Sequence, residues 1–235
     1  QGAWSLIHEG IRAGIFHPQF HGREHFNLLS FQKKLDYKDS ELLTSLKNRS
    51  LTSITSSGIP NIGWTAAFSF NKAKEINVFP EILKTGTDAF ESVYGFKSKP
   101  FTPPAQQFPE ELEDSLQDYG IENIDKPFHR MRNKGAGKYK REFSFLSKGI
   151  KNKPNTIVRN VVFEPTVDKT DHVGKALKQV EIAFRLGKPA NISSHRVNYC
   201  GHIEAKNRKK GLDDLKTLLQ SIVKSWPDIE FISAV

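Results

Sequence analysis

The chain has 235 residues, 37% of them hydrophobic and 26% charged, with a formal net charge of +9. That is enough apolar material for a real core in one large domain or two small ones, and no stretch approaches the roughly 20 apolar residues of a bilayer-crossing helix. A single cysteine, Cys200, excludes an intrachain disulfide and any multi-cysteine zinc knuckle.

The opening Gln1-Gly2-Ala3-Trp4 has neither a charged leader nor a long apolar core, so no signal peptide is expected. The lone cysteine fits the cytoplasm, which is slightly favoured. The first chemically suggestive run is His17-Pro18-Gln19-Phe20-His21-Gly22-Arg23-Glu24-His25. Two imidazoles four residues apart at a helix start can present nitrogens on one face to a single metal ion. Pro18 and Gly22 shape the approach to a helix predicted over 23–35, whose Phe26, Leu29 and Leu35 face inward.

A catalytic zinc site needs a third protein ligand and an open position for water. Asp or Glu is the expected type, and spacing does not choose among the 26 on offer. Glu24 fits a helix N-terminal charge better than a ligand. The same string also spells His-x-x-Glu-His, a zinc-peptidase motif with Glu as general base. That motif belongs inside a helix, whereas Pro18 and Gly22 place this one at a helix start; it would also need a downstream Glu ligand, with only Glu91, Glu110 and Glu111 as weak candidates.

Further helices are predicted over 37–47, 81–94 and 109–119, and a strand over 120–124. The Pro/Gly-rich stretch 97–104 fits an active-site loop after a strand end better than a linker. The basic cluster 130–141 is interrupted by glycines and is expected to be a mobile loop. Apart from a second run, Lys206-Asn207-Arg208-Lys209-Lys210, the basic residues are spread along the chain. With no aromatic-interleaved basic motif in view, nucleic acid rests on net charge alone and is not expected as a partner.

A strand over 156–163 carries Arg159, a charge inside an apolar run that needs a partner; it could orient a ligand carboxylate or sit at a solvated edge. Asp168 and Asp171 are helix-start residues before a helix over 170–186. After a strand over 190–194 comes His195, placed where a general acid would stand. Arg196, Asn198 and Tyr199 beside it supply donors for a hydroxyl-rich or anionic ligand. The clearest helix, 207–226, repeats Leu212, Leu215, Leu218, Leu219, Ile222 and Val223 at helical steps and stops at Trp226-Pro227. A strand over 229–233 closes the chain. Strands and helices alternating with short connections imply an α/β protein with parallel strands and crossovers, counted as one domain over 1–235, and a barrel suits the pattern.

Three segments resemble one family. Phe16-His17-Pro18-Gln19-Phe20-His21-Gly22-Arg23-Glu24-His25-Phe26-Asn27 looks like the His-x-x-x-His metal motif of the polysaccharide deacetylases of the NodB-homology class, in the divergent branch found with bacterial surface-polysaccharide genes. The run from Gly187 to Tyr199 looks like that family's last motif, and Gly95 to Pro104 is similar to the segment lining its groove. The resemblance implies a distorted (β/α) barrel and a divalent metal, usually zinc, held by one Asp and two His. It implies removal of an N- or O-acetyl group from a polysaccharide or oligosaccharide. Carried over, His21 and His25 are metal ligands and His195 is the general acid; beside them, Lys97, Arg159, Arg196, Asn198 and Tyr199 are the substrate-binding candidates. The family's first motif, a strand ending in paired aspartates that give the base and third ligand, would precede Trp4. The resemblance therefore implies an N-terminal part of the barrel outside these residues. The rival expectation is a noncatalytic carbohydrate-binding relative that keeps the groove without the base.

Overall fold

The computed structural model describes residues 2–50, 54–149 and 153–233. The chain divides into two compact units, one running to Ile157 and one formed by Val158–Ile232.

The first unit contains α1 (Gly2–Arg12), α2 (Leu28–Asp36), α3 (Ser40–Lys47) and α4 (Phe79–Tyr94), then β1 (Pro100–Phe101), β2 (Asn123–Pro127), β3 (His129–Asn133), β4 (Tyr139–Phe143) and the start of β5 (Asn155–Arg159). Helix α2 begins at Leu28 rather than at residue 23, because Asn27 adopts an extended conformation and its side chain caps the Ser30 amide. Asp39 caps α3 in the same way through the Leu42 amide. The helix predicted over 109–119 is instead two short 3-10 turns, Glu110–Leu112 and Asp114–Tyr119.

Strands β1 and β2 pair in parallel, with Phe101 opposite Ile124, and Phe20 forms a parallel bridge to Phe101. These three side chains make one row, all within 2% of complete burial, and pack with Phe68, Phe79 and Leu83 as the core of the unit. Its aromatic rings meet mostly edge to face, as for Phe68 on Phe101 at 5.8 Å and 84°.

The cluster 130–141, expected to be a mobile loop, is an antiparallel hairpin: β3 pairs with β4 from His129 opposite Phe143 to Asn133 opposite Tyr139. Alternation puts Arg130, Arg132 and Glu142 on one face. There Arg130 reaches Glu142 at 3.1 Å and Glu113 at 3.5 Å, and Lys126 reaches Glu113 at 2.7 Å. Burial pulls the Lys126 ammonium below its ordinary value, with Glu113 opposing the shift. The basic residues that suggested a solvated loop are thus partly neutralised by carboxylates distant in sequence.

The second unit holds β6 (Val161–Val162), α5 (His172–Arg185), β7 (Ile192–Ser193) and α6 (Ala205–Ser225). Strands β6 and β7 are parallel and joined through α5, a β-α-β unit. Val161, Phe163, Ala176, Val180, Leu218 and Ile222 form its core. The stretch 229–233, predicted as a strand, has none of that structure: Ile229 packs on the core beside Trp226, while Phe231 and Ile232 are exposed and no ladder partner stands beside them among the described residues.

The whole is mixed α/β, 44% helix and 12% strand. Among the described residues the strands form three separate sheets and do not close into a barrel. No described helix is long and apolar enough to cross a membrane.

Candidate functional site

His21 and His25 lie on the irregular, bent segment before α2, not on the helix itself. Register explains why they are presented. Phe20, Phe101 and Ile124 point into the core, so the next residues along the three parallel segments, His21, Thr102 and Asp125, form a second row at the carboxyl ends of the strands. In parallel sheets this is the edge where functional groups gather.

Thr102 ties the row together. Its amide donates to the Phe20 carbonyl at 3.0 Å. Its own carbonyl accepts from His21 Nδ1 at 2.6 Å, and its hydroxyl donates to Asp125 Oδ2 at 3.3 Å. A carbonyl can only accept, so Nδ1 of His21 carries a proton and Nε2 is the basic nitrogen of the neutral ring. A backbone carbonyl holding the far nitrogen is how metal-binding imidazoles are commonly oriented.

The His25 ring follows at 4.8 Å between centroids and 54° between planes. Two imidazoles on one tetrahedral ion would stand roughly 5 Å apart by centroid, given Zn–N bonds of about 2.0–2.1 Å. The pair therefore fits a shared ion in spacing, and Asp125, 8% exposed, is the carboxylate of the same row. Among the described residues no group of three or more His, Cys, Asp or Glu side chains is drawn together as a metal cage.

Two features hold this segment in place. Gly22 takes φ +96°, outside the range of ordinary side chains, and a Cβ there would sit 3.1 Å from Pro104 Cγ. Asn27 is fully buried; besides capping α2 it donates from Nδ2 to the carbonyls of Ala66 at 2.9 Å and Ser69 at 2.8 Å. Glu24 forms an ion pair with Arg23 at 2.6 Å, and that hydrogen bond raises the Arg23 pKa. The non-helical backbone and the engaged Glu24 depart from a helix-borne His-x-x-Glu-His arrangement.

In the second unit, His195 follows β7, with its side chain largely exposed. Its Nδ1 meets Glu164 Oε1 at 2.7 Å, and Glu164 Oε2 accepts from Asn198 Nδ2 at 2.6 Å. Asn198 is buried and also donates to the His195 carbonyl at 2.9 Å, while its Oδ1 accepts from the Thr166 hydroxyl at 2.8 Å. Asn198 is therefore a brace rather than a ligand-facing group. Tyr199 shares a 2.7 Å hydrogen bond with Ser194, and burial raises its phenol pKa. Arg196 is exposed, and Arg159 donates to Ser193 Oγ at 3.2 Å.

Lys97 precedes β1, at the opposite end of that strand from Thr102. It lines a cleft of about 190 Å³ with Lys84, Asp88 and Asp118, apart from the histidine row. His21, His25 and Lys97 belong to the first unit and His195, Arg159, Arg196, Asn198 and Tyr199 to the second.

Sequence reasoning missed Asp125 and Glu164. Asp125 directly follows a core isoleucine in a strand, and Glu164 directly follows the buried Phe163; a carboxylate just past a buried strand residue was the available signal. No protein-family model matches the chain, and no curated protein or solved structure does.

Proposed function

We propose that this chain is a metal-dependent deacetylase of the polysaccharide deacetylase type, its described residues forming part of a distorted (β/α) barrel, and that it removes acetyl groups from a polysaccharide or its precursor. The observation that carries this reading is the His21–His25 pair with His21 Nδ1 held by the Thr102 carbonyl at a strand end. His21 and His25 would hold a divalent ion, zinc by preference for imidazole ligands, which when bound supplies Lewis-acid polarisation and an ionisable water. Asp125 is the carboxylate in the same register row as His21, linked to it through Thr102.

His195 takes the role of proton donor to the leaving amine or alcohol. Glu164 fixes its orientation through Nδ1, which turns Nε2 outward. Arg196 and Tyr199, beside it in sequence, are the donors available for sugar hydroxyls.

The test combines elemental analysis of the natural full-length protein with acetate release from acetylated glycans. One zinc per chain, and acetate release lost in His21→Ala and His25→Ala, is the expected result. Unchanged metal content in both variants would overturn the assignment. Glycan binding without acetate release would favour the noncatalytic carbohydrate-binding relative.

A further inference from the structure

We propose that the outer face of the β3–β4 hairpin is a docking strip for an acidic glycan chain. Naming the polymer a glycan rests on the deacetylase reading; the strip itself rests on the hairpin.

The two faces of the hairpin differ in chemistry. The inner face is closed by ion pairs: Arg130 and Arg132 each meet Glu142 at 3.1 Å, Lys140 meets it at 3.3 Å, and Arg132 also meets Glu110. The tip is tied down as well. Asn133 donates to the Phe70 carbonyl at 2.9 Å, the Ala136 amide to the Asn71 carbonyl at 2.6 Å, and the Tyr139 hydroxyl to the Asn61 carbonyl. At the root, the Ser144 amide donates to the Phe128 carbonyl at 2.8 Å. A hairpin anchored on one face, tip and root presents its other face as a fixed surface.

That other face carries His129, Met131, Arg141 and Phe143, with Phe128 and Phe145 at the root. All three phenylalanines are more than half exposed, at 51%, 56% and 69%, and they touch one another at 5.4 and 6.0 Å. A contiguous exposed aromatic cluster on a soluble surface marks a binding site more often than scattered apolar residues do. Arg141 Nε donates to His129 Nε2 at 2.6 Å, which sets the guanidinium beside the rings. Lys134 and Lys138 stand exposed at the tip. Between residues 126 and 148 the only acidic residue is Glu142, and it points to the inner face. Among the described residues, no carboxylate lies within ion-pair distance of Lys134, Lys138 or Arg141.

The strip thus offers aromatic faces with Arg141 beside them, while Lys134 and Lys138 stand apart at the tip in the register of the inner face. Aromatic faces stack on the apolar faces of sugar rings, and widely spaced cations suit a polymer with one acid group per sugar or per repeat. Single-stranded nucleic acid would ask for successive bases on aligned rings and a cationic track along every phosphate. Here the rings meet at 51° and 85° instead of in parallel.

The experiment measures binding of the full chain to polygalacturonate, dextran and oligothymidylate by titration at low and moderate salt, for the parent, Phe143→Ala/Phe145→Ala and Arg141→Ala. Expected are polygalacturonate binding that weakens with added salt, at least about tenfold loss in either hairpin variant, and little binding of dextran. These side chains are exposed, so circular dichroism should show unchanged folding. Equal binding of dextran and polygalacturonate, tighter binding of oligothymidylate, or parent-like affinity in both variants overturns the proposal. His21→Ala separates the two readings: polygalacturonate binding retained in a variant that still releases acetate sinks the metal-site assignment and leaves the strip standing. Hairpin variants that bind like the parent, while acetate release depends on His21, sink the strip alone.

Discussion

His21 donates from Nδ1 to the carbonyl of Thr102, 81 positions further along the chain, at 2.6 Å, and Thr102 in turn donates its hydroxyl to Asp125. The orientation of the candidate metal-binding imidazole is therefore set by the pairing of parallel strands. Asp125→Asn keeps the shape and removes the charge. Zinc affinity is expected to fall about 10–100-fold, the usual effect of losing a partner of the inner ligands, with the melting temperature little changed. Competition with a chromophoric chelator measures it, and parent-like affinity would remove Asp125 from the site.

Asn27→Ala should destabilise the chain. It removes the α2 cap, worth about 1 kcal/mol, and strands the buried carbonyl of Ser69, at about 1–3 kcal/mol when unsatisfied, while the Ala66 carbonyl keeps its bond from the Ser69 amide. Some relief from water or backbone shift leaves a net loss of about 2 kcal/mol. Asn27→Ser restores the cap alone and should recover only about 1 kcal/mol, as read by urea unfolding.

Glu164→Gln tests how His195 is held. Without the carboxylate at 2.7 Å the imidazole loses the partner that fixes its orientation. Acetate release should slow about 10-fold or more at unchanged KM, whereas His195→Ala should cost about 10²–10⁴-fold. A Glu164→Gln protein with parent kcat would show that His195 works without this partner.

Gly211 of α6 packs against the turn that follows His195. A Cβ at this position would collide with the Asn198 carbonyl oxygen, a contact that backbone must shift to relieve. Gly211→Ala is expected to lower stability by about 1–3 kcal/mol, as overpacking does, despite alanine's higher helix propensity. Thermal unfolding decides between the two effects, and a raised melting temperature would contradict the close approach.

Acid should weaken the start of α5 through Asp168. The Thr170 hydroxyl and amide, at 2.6 and 2.7 Å, and then His172 hold this carboxyl well below its ordinary value. A depressed folded pKa contributes stability above the unfolded value of 3.8 that is lost as pH falls below it. The stability gap between parent and Asp168→Asn should therefore be constant from about pH 5 to 8 and narrow below about pH 4. A gap that stays constant to low pH would show that the charge contributes nothing.

The amino-acid sequence by itself determined the α/β class and the long helices, because these depend on local periodicity. Leu218 and Ile222 of α6 recur at helical spacing, and both are buried where that pattern puts them. Helix α5 and helix α4 likewise lie within two residues of their predicted spans at each end. The His21–His25 pair was legible as a spacing, but what closes it is a bent, irregular segment with Gly22 at positive φ, which brings the rings to 4.8 Å where a helix start was expected.

Tertiary structure alone decided what surrounds those residues. Asp125 joins His21 through strand register, and Glu164 joins His195 across 31 positions; no local pattern encodes either approach. The cluster 130–141 looked like a loop because glycines and like charges are loop signals. Its hairpin instead persists because Glu110, Glu113 and Glu142 neutralise one face, two of them brought from outside the hairpin. Conversely, 229–233 has the composition of a strand but no neighbour among the described residues to complete its hydrogen bonds, and a strand exists only as part of a pair. Helices carry their hydrogen bonds within themselves and can be read from their own residues, whereas strands and sites depend on what the rest of the chain brings beside them.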